Sequence, residues 1–281
     1  MTAILRAEGL CYSFPGGITA LRDLSLTVRR GRKLAILGPN GAGKSTLFLH
    51  LNGTLRPSAG RIEVQGQPGS YSRKGLADWR KVVGLVLQDA DDQLFAATVF
   101  EDVSFGPLNL GLDREAARAR VEAALQALNL TDLRDRATHM LSGGQKKRAA
   151  IAGAVAMQPQ ILLLDEPTAG LDHRATEDLI TLLERLSADG MTLVFSTHDV
   201  DLAHRLADDV ALFHDGAVIA QGEATEILSN PALLAQVHLR QPLLLQIALA
   251  ARAHGLLPQG APLPDTTEGL IQLMQNWSRC V

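Results

Sequence analysis

Short apolar runs and longer amphipathic segments alternate along residues 1–223. Apolar runs bounded by turn residues predict strands at residues 4–10, 24–28, 33–37, 61–64, 82–87, 161–164 and 192–195. Longer periodic segments predict helices at residues 44–52, 98–130, 142–157 and 174–188. Strands that alternate with helices predict the α/β class, with a mainly parallel sheet covered by helices.

Two local signals are specific enough to define single elements. Asp113 is placed to cap a helix that runs to residue 129, with Arg118 and Glu122 spaced to pair on its exposed side. The apolar face of that helix consists of Val121, Leu125 and Leu128. Residues 209–222 predict a hairpin, because Asp215-Gly216 between two apolar runs suits a type I′ turn.

The composition changes near residue 224, where charged residues become scarce. Residues 224–281 contain three basic and three acidic residues, 6 of 58, whereas charged residues are 20% of the whole chain. Residues 241–251 and 266–277 predict helices, the second capped by Thr266 or Thr267, with a Pro/Gly loop at residues 255–264. We therefore predict two domains, at 1–223 and 224–281. The apolar surface of the second packs either on its own chain or on another subunit.

The overall composition excludes several classes of protein. The chain has 281 residues, 46% of them hydrophobic, and a net charge of −3, so a globular protein without a nucleic-acid partner is expected. Cys11 and Cys280 are too few for a disulfide framework or a zinc site. The N-terminus lacks the pattern of a signal peptide, and the longest uncharged run, 149–164, is too short to span a bilayer. We expect a cytosolic chain.

Residues 38–45 read GPNGAGKS, the pattern of a phosphate-binding loop. Gly38, Gly41 and Gly43 let successive backbone N–H groups converge on a polyphosphate. Lys44 adds a positive charge, and the hydroxyl of Ser45 is a hard oxygen ligand suited to Mg²⁺. A strand precedes the loop and a helix follows it, so the phosphates are expected at a helix N-terminus.

Two further motifs extend this site. Residues 141–145 read LSGGQ, in which Ser142 is a natural N-cap and the glycines leave a second helix end open to an anion. One triphosphate is not easily enclosed by both helix ends of one compact domain, but two subunits can share it. Asp165 and Glu166 follow a buried strand, which places Asp165 to hold Mg²⁺ and Glu166 to act as general base.

Together these motifs resemble those of the ATP-binding cassette ATPases, and the resemblance covers residues 3–223. It implies ATP and Mg²⁺ as cofactors. It also implies a P-loop NTPase core with an antiparallel β subdomain and a helical signature subdomain at about residues 89–158. By resemblance, Tyr12 stacks on adenine, Gln88 contacts Mg²⁺ and the attacking water, Asp172 acts across a dimer, and His198 contacts the γ-phosphate. The alternatives are a packed strand tyrosine for Tyr12 and a solvated side chain for His198.

The implied site has three groups of residues. The nucleotide-binding residues are Tyr12, Gly38, Pro39, Asn40, Gly41, Ala42, Gly43, Lys44, Ser45 and Thr46, with Ser45, Gln88 and Asp165 as the Mg²⁺ ligands. Glu166, His198 and Gln88 are the catalytic residues. The residues expected to act on the ATP of a second copy are Leu141, Ser142, Gly143, Gly144 and Gln145.

The segment after Gln88, DADDQLFAATVFEDVSFGPLNLGL, is similar to that of ATPases of energy-coupling-factor importers. Asp89 and Ala90 replace the usual Asn-Pro, while Asp91, Asp92 and Gln93 match. The resemblance implies a homodimer on the cytoplasmic face of the inner membrane, joined to membrane subunits through this segment. Within this segment, FGPLNLGL is most similar to the sequences of cobalt and nickel importers. The alternatives are a vitamin importer, a conventional importer and a non-transport cassette protein. The three aspartates suit a solvated or docking loop better than a metal site.

Overall fold

A computed structural model describes residues 2–258, 260 and 262–277. The strands are β1 Ala3–Ser13, β2 Thr19–Arg29, β3 Lys33–Leu37, β4 Ala59–Val64, β5 Gln67–Pro68, β6 Val83–Val86, β7 Ile161–Leu164, β8 Thr192–Thr197, β9 Asp209–His214 and β10 Ala217–Glu223. The helices are α1 Lys44–Leu51, α2 Arg73–Val82, α3 Val99–Asn109, α4 Arg114–Ala127, α5 Gly143–Val155, α6 His173–Ala188, α7 Val200–Leu206, α8 Ala224–Leu228, α9 Pro231–Gln236, α10 Leu243–Ala253 and α11 Thr267–Trp277. Cys280 lies outside the described residues.

A six-stranded sheet in the order β10-β9-β3-β8-β7-β6 forms the centre of the molecule. Neighbouring strands from β9 to β6 run parallel, and only β10 is antiparallel to its neighbour. Asp215 and Gly216 join β9 to β10 with φ angles of 46° and 79°, as the predicted type I′ turn requires. The predicted α/β class, with a mainly parallel sheet covered by helices, is confirmed.

Both faces of this sheet are buried, so its strands read as continuous apolar runs. Side chains alternate between the two faces: Ala35 and Leu37 of β3 pack with the buried residues of α5 and α6. Leu34 and Ile36 pack on the other side, in a cluster that includes Phe48 of α1 and the buried residues of β1 and β2. The phosphate-loop helix therefore lies between the two sheets of the protein.

The second sheet is antiparallel, in the order β2-β1-β4-β5, which confirms the antiparallel subdomain implied by the sequence. It covers the face of the central sheet on which α1 packs. Both β1 and β2 are longer than predicted. Ser13 pairs with Thr19 at the end of the β1–β2 ladder.

One prediction needs correction. Residue 82 ends the helix α2, which the sequence analysis missed, and the following strand begins only at Val83. Half of the residues of this helix are charged, and its apolar stripe is narrow, with Trp79 buried; its signal was Ser72, whose side chain accepts the N–H of Gly75. The helical region predicted at residues 98–130 is present as two helices, α3 and α4. The predicted cap Asp113 starts the second, and the Arg118–Glu122 pair is present at 2.8 Å.

The C-terminal segment packs partly on the cassette. Leu245 and Ala248 of α10 are buried, and the N–H of Leu243 donates to the carboxylate of Asp201 in α7 at 2.8 Å. Leu243 and Ile247 of the same helix remain 60% and 41% exposed. One face of α10 thus packs on its own chain, as one of the two predicted alternatives has it, and another face is exposed. Among the described residues, no helix has the length and apolar character needed to cross a membrane.

Candidate functional site

The predicted site residues lie at the carboxyl ends of four neighbouring strands. Gly38 follows β3, His198 follows β8, Asp165 and Glu166 follow β7, and Gln88 lies two residues beyond β6. These strands are adjacent and parallel, in the order β3-β8-β7-β6. Their carboxyl ends therefore meet at one edge of the sheet, where ligands bind in open α/β proteins.

Two glycines of the phosphate loop are needed for close approaches of backbone to backbone. A Cβ on Gly38 would lie 2.2 Å from the carbonyl oxygen of Phe213 in β9. Gly43 has φ 108°, and a Cβ there would lie 2.7 Å from the carbonyl oxygen of Ala20 in β2. The loop is therefore held between the two sheets, at the start of α1.

Lys44 is 5% exposed and lies inside the loop that precedes it. Its Nζ donates to the carbonyl oxygens of Gly38 at 2.8 Å and Pro39 at 3.1 Å. The same nitrogen lies 3.2 Å from Oε1 of Glu166, a buried atom that takes no well-aligned hydrogen bond within the described chain. Lys44 thus links the phosphate loop to the acidic residues after β7.

Asp165 and Glu166 are both buried, at 4% and 6% exposed. Oε2 of Glu166 lies 3.2 Å from Nδ1 of His198, whose ring is about half exposed. The backbone of Glu166 has φ 40°, a conformation that side-chain-bearing residues seldom adopt. The N–H of Glu166 donates to Oγ of Ser196 at 2.8 Å, and that hydroxyl donates to Oδ1 of Asp165 at 2.5 Å.

A cavity of about 520 Å³ opens beside these residues. Ser45, Gln88 and Asp165 line it together, which places a hydroxyl, an amide and a carboxylate around one space. Mg²⁺ takes hard oxygen ligands and usually completes its shell with water and substrate phosphates. The donor set therefore fits Mg²⁺ bound with a nucleotide.

The loop after Gln88 is tied to the start of α5 by two lysines. The buried Lys147 donates from Nζ to the carbonyl oxygen of Gln88 at 2.6 Å, and Lys146 pairs with Asp91 at 2.6 Å. Burial lowers the pKa of Lys147, and the carboxylates of Asp165 and Asp89 oppose that shift. The position of the Gln88 loop is thus coupled to the helix that carries LSGGQ.

The LSGGQ segment forms the second helix end as the sequence predicts. Ser142 caps α5, its Oγ accepting the N–H of Gln145 at 3.4 Å, while its own N–H donates to Oε1 of Gln145 at 2.9 Å. Leu141 is buried, whereas Ser142 and Gly143 are exposed. Ser142, Gly143, Gly144 and Gln145 line a cavity of about 350 Å³ together with Asp172, the N-cap of α6.

The structure brings Gln88, Asp165, Glu166 and His198 to the phosphate loop, but it leaves the signature segment apart. Among the described residues, none of the loop 38–46 lines the cavity of Ser142 and Asp172. Within residues 141–145, Gly143 also borders the cavity of Ser45, and Lys147, Gly170 and Leu171 border both cavities. The phosphate loop and the signature segment of one chain therefore border two neighbouring cavities.

Tyr12 lies at the end of β1, half-buried. Its ring makes edge contacts with Phe14 at 5.2 Å and with His50 at 4.6 Å between centroids. His50 belongs to α1 and is fully buried, with Nδ1 2.7 Å from the carbonyl oxygen of Thr46. The aromatic residue expected at adenine is therefore supported by the helix that follows the phosphate loop.

Sequence reasoning missed three side chains that hold this site: Ser196, Lys147 and His50. Ser196 left a signal, since it is a polar residue within the apolar strand β8 and precedes His198 by two positions. Lys147 and His50 left none, because their burial depends on how α5 and α1 pack.

Comparison with known proteins assigns the family. The family model described as ABC transporter matches residues 21–169, more than half of the chain. The chain belongs to this family and is an ATP-binding cassette ATPase. Within the family, the predicted resemblance to the ATPases of energy-coupling-factor importers is confirmed.

The relatives and structural neighbours agree with this assignment. The chain is 66% identical over 280 residues to the cobalt import ATP-binding protein CbiO of Rhodobacter capsulatus, covering 99% of this chain and 100% of that protein. It is 44% identical over 254 residues to the energy-coupling factor transporter ATP-binding protein EcfA1 of Methanospirillum hungatei, covering 90% and 91%.

Two solved structures share the fold. The cbiO1 protein of Clostridium perfringens, part of the ABC transporter complex cbiONQ, superposes with a TM-score of 0.75 at 43% identity, covering 88% of this chain and 99% of that one. A dimeric ATP-binding cassette in a post-hydrolysis state with ADP and Pi superposes with a TM-score of 0.70 at 28% identity, covering 78% and 98%.

Proposed function

We propose that the chain is the ATP-hydrolysing subunit of an energy-coupling-factor importer for a divalent transition metal, cobalt or nickel. The observation that carries this proposal is the 66% identity with a cobalt import ATP-binding protein, which extends over the whole length of both chains. The metal is cargo in this proposal, and its site lies in membrane subunits.

Two copies of the chain enclose two ATP molecules head to tail in this proposal. Each site combines the phosphate loop, Asp165, Glu166 and His198 of one copy with Ser142 and its neighbours of the other. Support comes from the separation of the two half-sites within one chain and from the open cavity at Ser142. A dimeric cassette among the structural neighbours, bound to ADP and Pi, is consistent with it.

The chemistry follows from the groups at the sheet edge. Ser45, Asp165 and Gln88 would hold Mg²⁺, which would supply charge neutralisation for the transferred phosphoryl group. Glu166 accepts a proton from the attacking water. His198, whose Nδ1 lies 3.2 Å from Oε2 of Glu166, contacts the γ-phosphate. Lys44 binds phosphate oxygens, which compete with the carbonyl oxygens of Gly38 and Pro39 for its protons.

In this proposal the dimer closes on ATP and opens after hydrolysis, and this movement reaches the membrane subunits through the segment after Gln88. A groove of about 580 Å³ between α2, α3 and α5 is bordered by Phe95 and Phe105, which are 66% and 52% exposed. The centroids of these two rings lie 4.8 Å apart in an edge-to-face contact, and the rings form an exposed apolar surface on the helical subdomain. The chain is then a peripheral protein of the cytoplasmic membrane face.

The domain boundaries predicted from the sequence complete the proposal. Residues 1–223 form the nucleotide-binding cassette, with its helical subdomain at about 89–158. Residues 224–281 form a helical dimerisation domain. The exposed Leu243 and Ile247 of α10, on the side away from buried Leu245, support this role.

The test is to purify the chain from membranes, identify the subunits attached to it, and measure uptake of labelled Co²⁺ and Ni²⁺ by cells. A Lys44→Ala chain serves as the control with intact assembly. Metal uptake should require Lys44 and should fall to background in the variant. Vitamin uptake that depends on Lys44, without metal uptake, would favour the alternative of a vitamin importer.

A further inference from the structure

Ser196 occupies a position between the two acidic residues of the site. It lies in β8, is fully buried, and faces the end of the neighbouring strand β7. A hydroxyl has one proton to donate and lone pairs to accept. Ser196 uses both capacities, donating to Oδ1 of Asp165 at 2.5 Å and accepting the N–H of Glu166 at 2.8 Å.

The two bonds act on different parts of the site. The first fixes one oxygen of the Asp165 carboxylate, so the rotation of that side chain is set and its other oxygen is left for a cation. The second holds the backbone of Glu166, which has φ 40°. A residue with a long side chain keeps this conformation only when its surroundings over-determine it.

We propose that Ser196 is a positioning residue for ATP hydrolysis, aligning the Asp165 carboxylate for Mg²⁺ and the Glu166 carboxylate for proton transfer through one hydroxyl. The proposal rests on the roles proposed above for Asp165 and Glu166. It goes beyond them because Ser196 is fully buried and lines neither cavity of the site. Groups that orient a metal ligand from outside commonly change metal affinity or activity by about 10- to 100-fold when replaced.

The chain offers a matched control on the same strand. Thr192 is fully buried at the other end of β8, and its Oγ1 accepts the N–H of Gly31 at 2.9 Å. Thr192→Ala and Ser196→Ala both remove a buried hydroxyl that accepts a backbone N–H. Only the second removes a bond to the acidic residues, so effects on stability alone should be common to both variants.

The experiment measures three quantities on the purified chain: turnover, KM for ATP, and the affinity for Mn²⁺, followed by its electron paramagnetic resonance signal with a non-hydrolysable ATP analogue. Ser196→Ala should lower kcat and weaken Mn²⁺ binding by about 10-fold or more, while KM for ATP changes little. Thr192→Ala should leave Mn²⁺ affinity unchanged. Ser196→Thr, which keeps the hydroxyl, should recover most of both properties.

Asp165→Asn separates this proposal from the proposed function. Thermal unfolding first checks that Ser196→Ala is folded. If Asp165→Asn weakens Mn²⁺ binding while Ser196→Ala has the same Mn²⁺ affinity and kcat as Thr192→Ala, the role of Ser196 is wrong. If Asp165→Asn itself leaves Mn²⁺ affinity and turnover intact, the assigned roles of the acidic residues fail first. Should Ser196→Ala not fold, Ser196→Cys gives the same reading, since a thiol is a weaker donor and an intermediate loss is expected.

Discussion

The N-termini of α1 and α5 are both helix ends beside glycines, suited to an anion, yet their surroundings differ. At α1, Lys44 is buried, and it is enclosed by Gly38, Pro39 and Glu166 of the same chain. At α5, Ser142 and Gly143 are exposed at an open cavity. The first end has a buried lysine of its own loop beside it, whereas the second is bordered by side chains of α5 and α6, among them Arg148, Asp172 and Arg174.

This difference indicates how the two ends are used. The Ser142–Gln145 capping box satisfies two donors of α5, and the N–H groups of Gly143 and Gly144 remain at the helix end. The end of α1 has a buried lysine and acidic side chains of the same chain within reach. The end of α5 becomes a site only when another molecule supplies the phosphates, which is the physical basis of the proposed dimer.

The largest expected effect comes from replacing the proposed base at the enclosed end. Glu166→Gln keeps the shape of the side chain but removes the proton acceptor, so kcat should fall about 10²- to 10⁴-fold. ATP binding should persist, and the ATP-bound dimer should accumulate. Phosphate release and gel filtration measure these outcomes, with Glu184→Gln on the exposed side of α6 as the control. Turnover at the wild-type rate would remove Glu166 as the base.

The comparison itself is tested by mixing two variants, one altered at the N-terminus of α1 and the other at the N-terminus of α5. Lys44→Ala disables the α1 end, and Ser142→Arg blocks the α5 end by placing a bulky side chain at its cap. Each variant alone should be inactive. An equal mixture should recover about a quarter of wild-type turnover, because about half of the dimers are mixed and each has one complete site.

The control for this mixture is the oligomeric state of each variant. Each variant should fold, and each should form dimers on its own. A mixture that stays inactive, although mixed dimers form, would show that the two ends do not share one nucleotide.

The enclosed end could be predicted largely from the sequence, since the loop, Asp165, Glu166 and His198 each follow a strand. Because those strands are adjacent and parallel, the residues that follow them meet at one edge of the sheet. The supporting contacts could not be predicted. Lys147 reaches the carbonyl oxygen of Gln88 across 59 positions of sequence, and Ser196 reaches Asp165 across 31, so both depend on tertiary packing.

The same limit applies to the fold. Residue 82 was assigned wrongly because α2 is short and half of its residues are charged, so its few apolar residues give a weak signal. Strands with both faces buried were found reliably, since their signal is an uninterrupted apolar run.

A smaller effect is expected where the two ends are joined, at the loop after Gln88. Replacing Asp91 and Asp92 with Asn removes the exposed pair of Asp91 with Lys146, which is worth up to about 1 kcal/mol, or about fivefold. Uptake driven by the membrane complex should fall by about that factor, while ATP affinity stays unchanged. Asp132→Asn with Asp135→Asn, in the same subdomain, is the control. Equal losses of ATP binding and uptake would instead place these aspartates in the nucleotide site.

At neutral pH the smallest effect is expected at α1, where His50 supports Tyr12, and it concerns stability. Burial lowers the pKa of His50, and the bond to the carbonyl of Thr46 opposes this shift. Its Nε2 is buried without a partner in the described chain, so protonation would place an unpaired N–H there. The folded state therefore holds His50 neutral at pH values at which the unfolded chain already binds a proton.

The sign of the pH dependence follows from this lowered pKa. Above about pH 6.5 both states are neutral at His50 and no stability is lost. Below it the unfolded state binds the proton first, so the free energy of unfolding falls by up to about 1.4 kcal/mol per pH unit until the folded pKa is reached. His50→Gln should reduce this acid sensitivity relative to wild type, with the difference between the two chains constant above pH 7. Urea unfolding between pH 5 and 8 measures it, and equal slopes in the two chains would show that His50 is not the group that titrates.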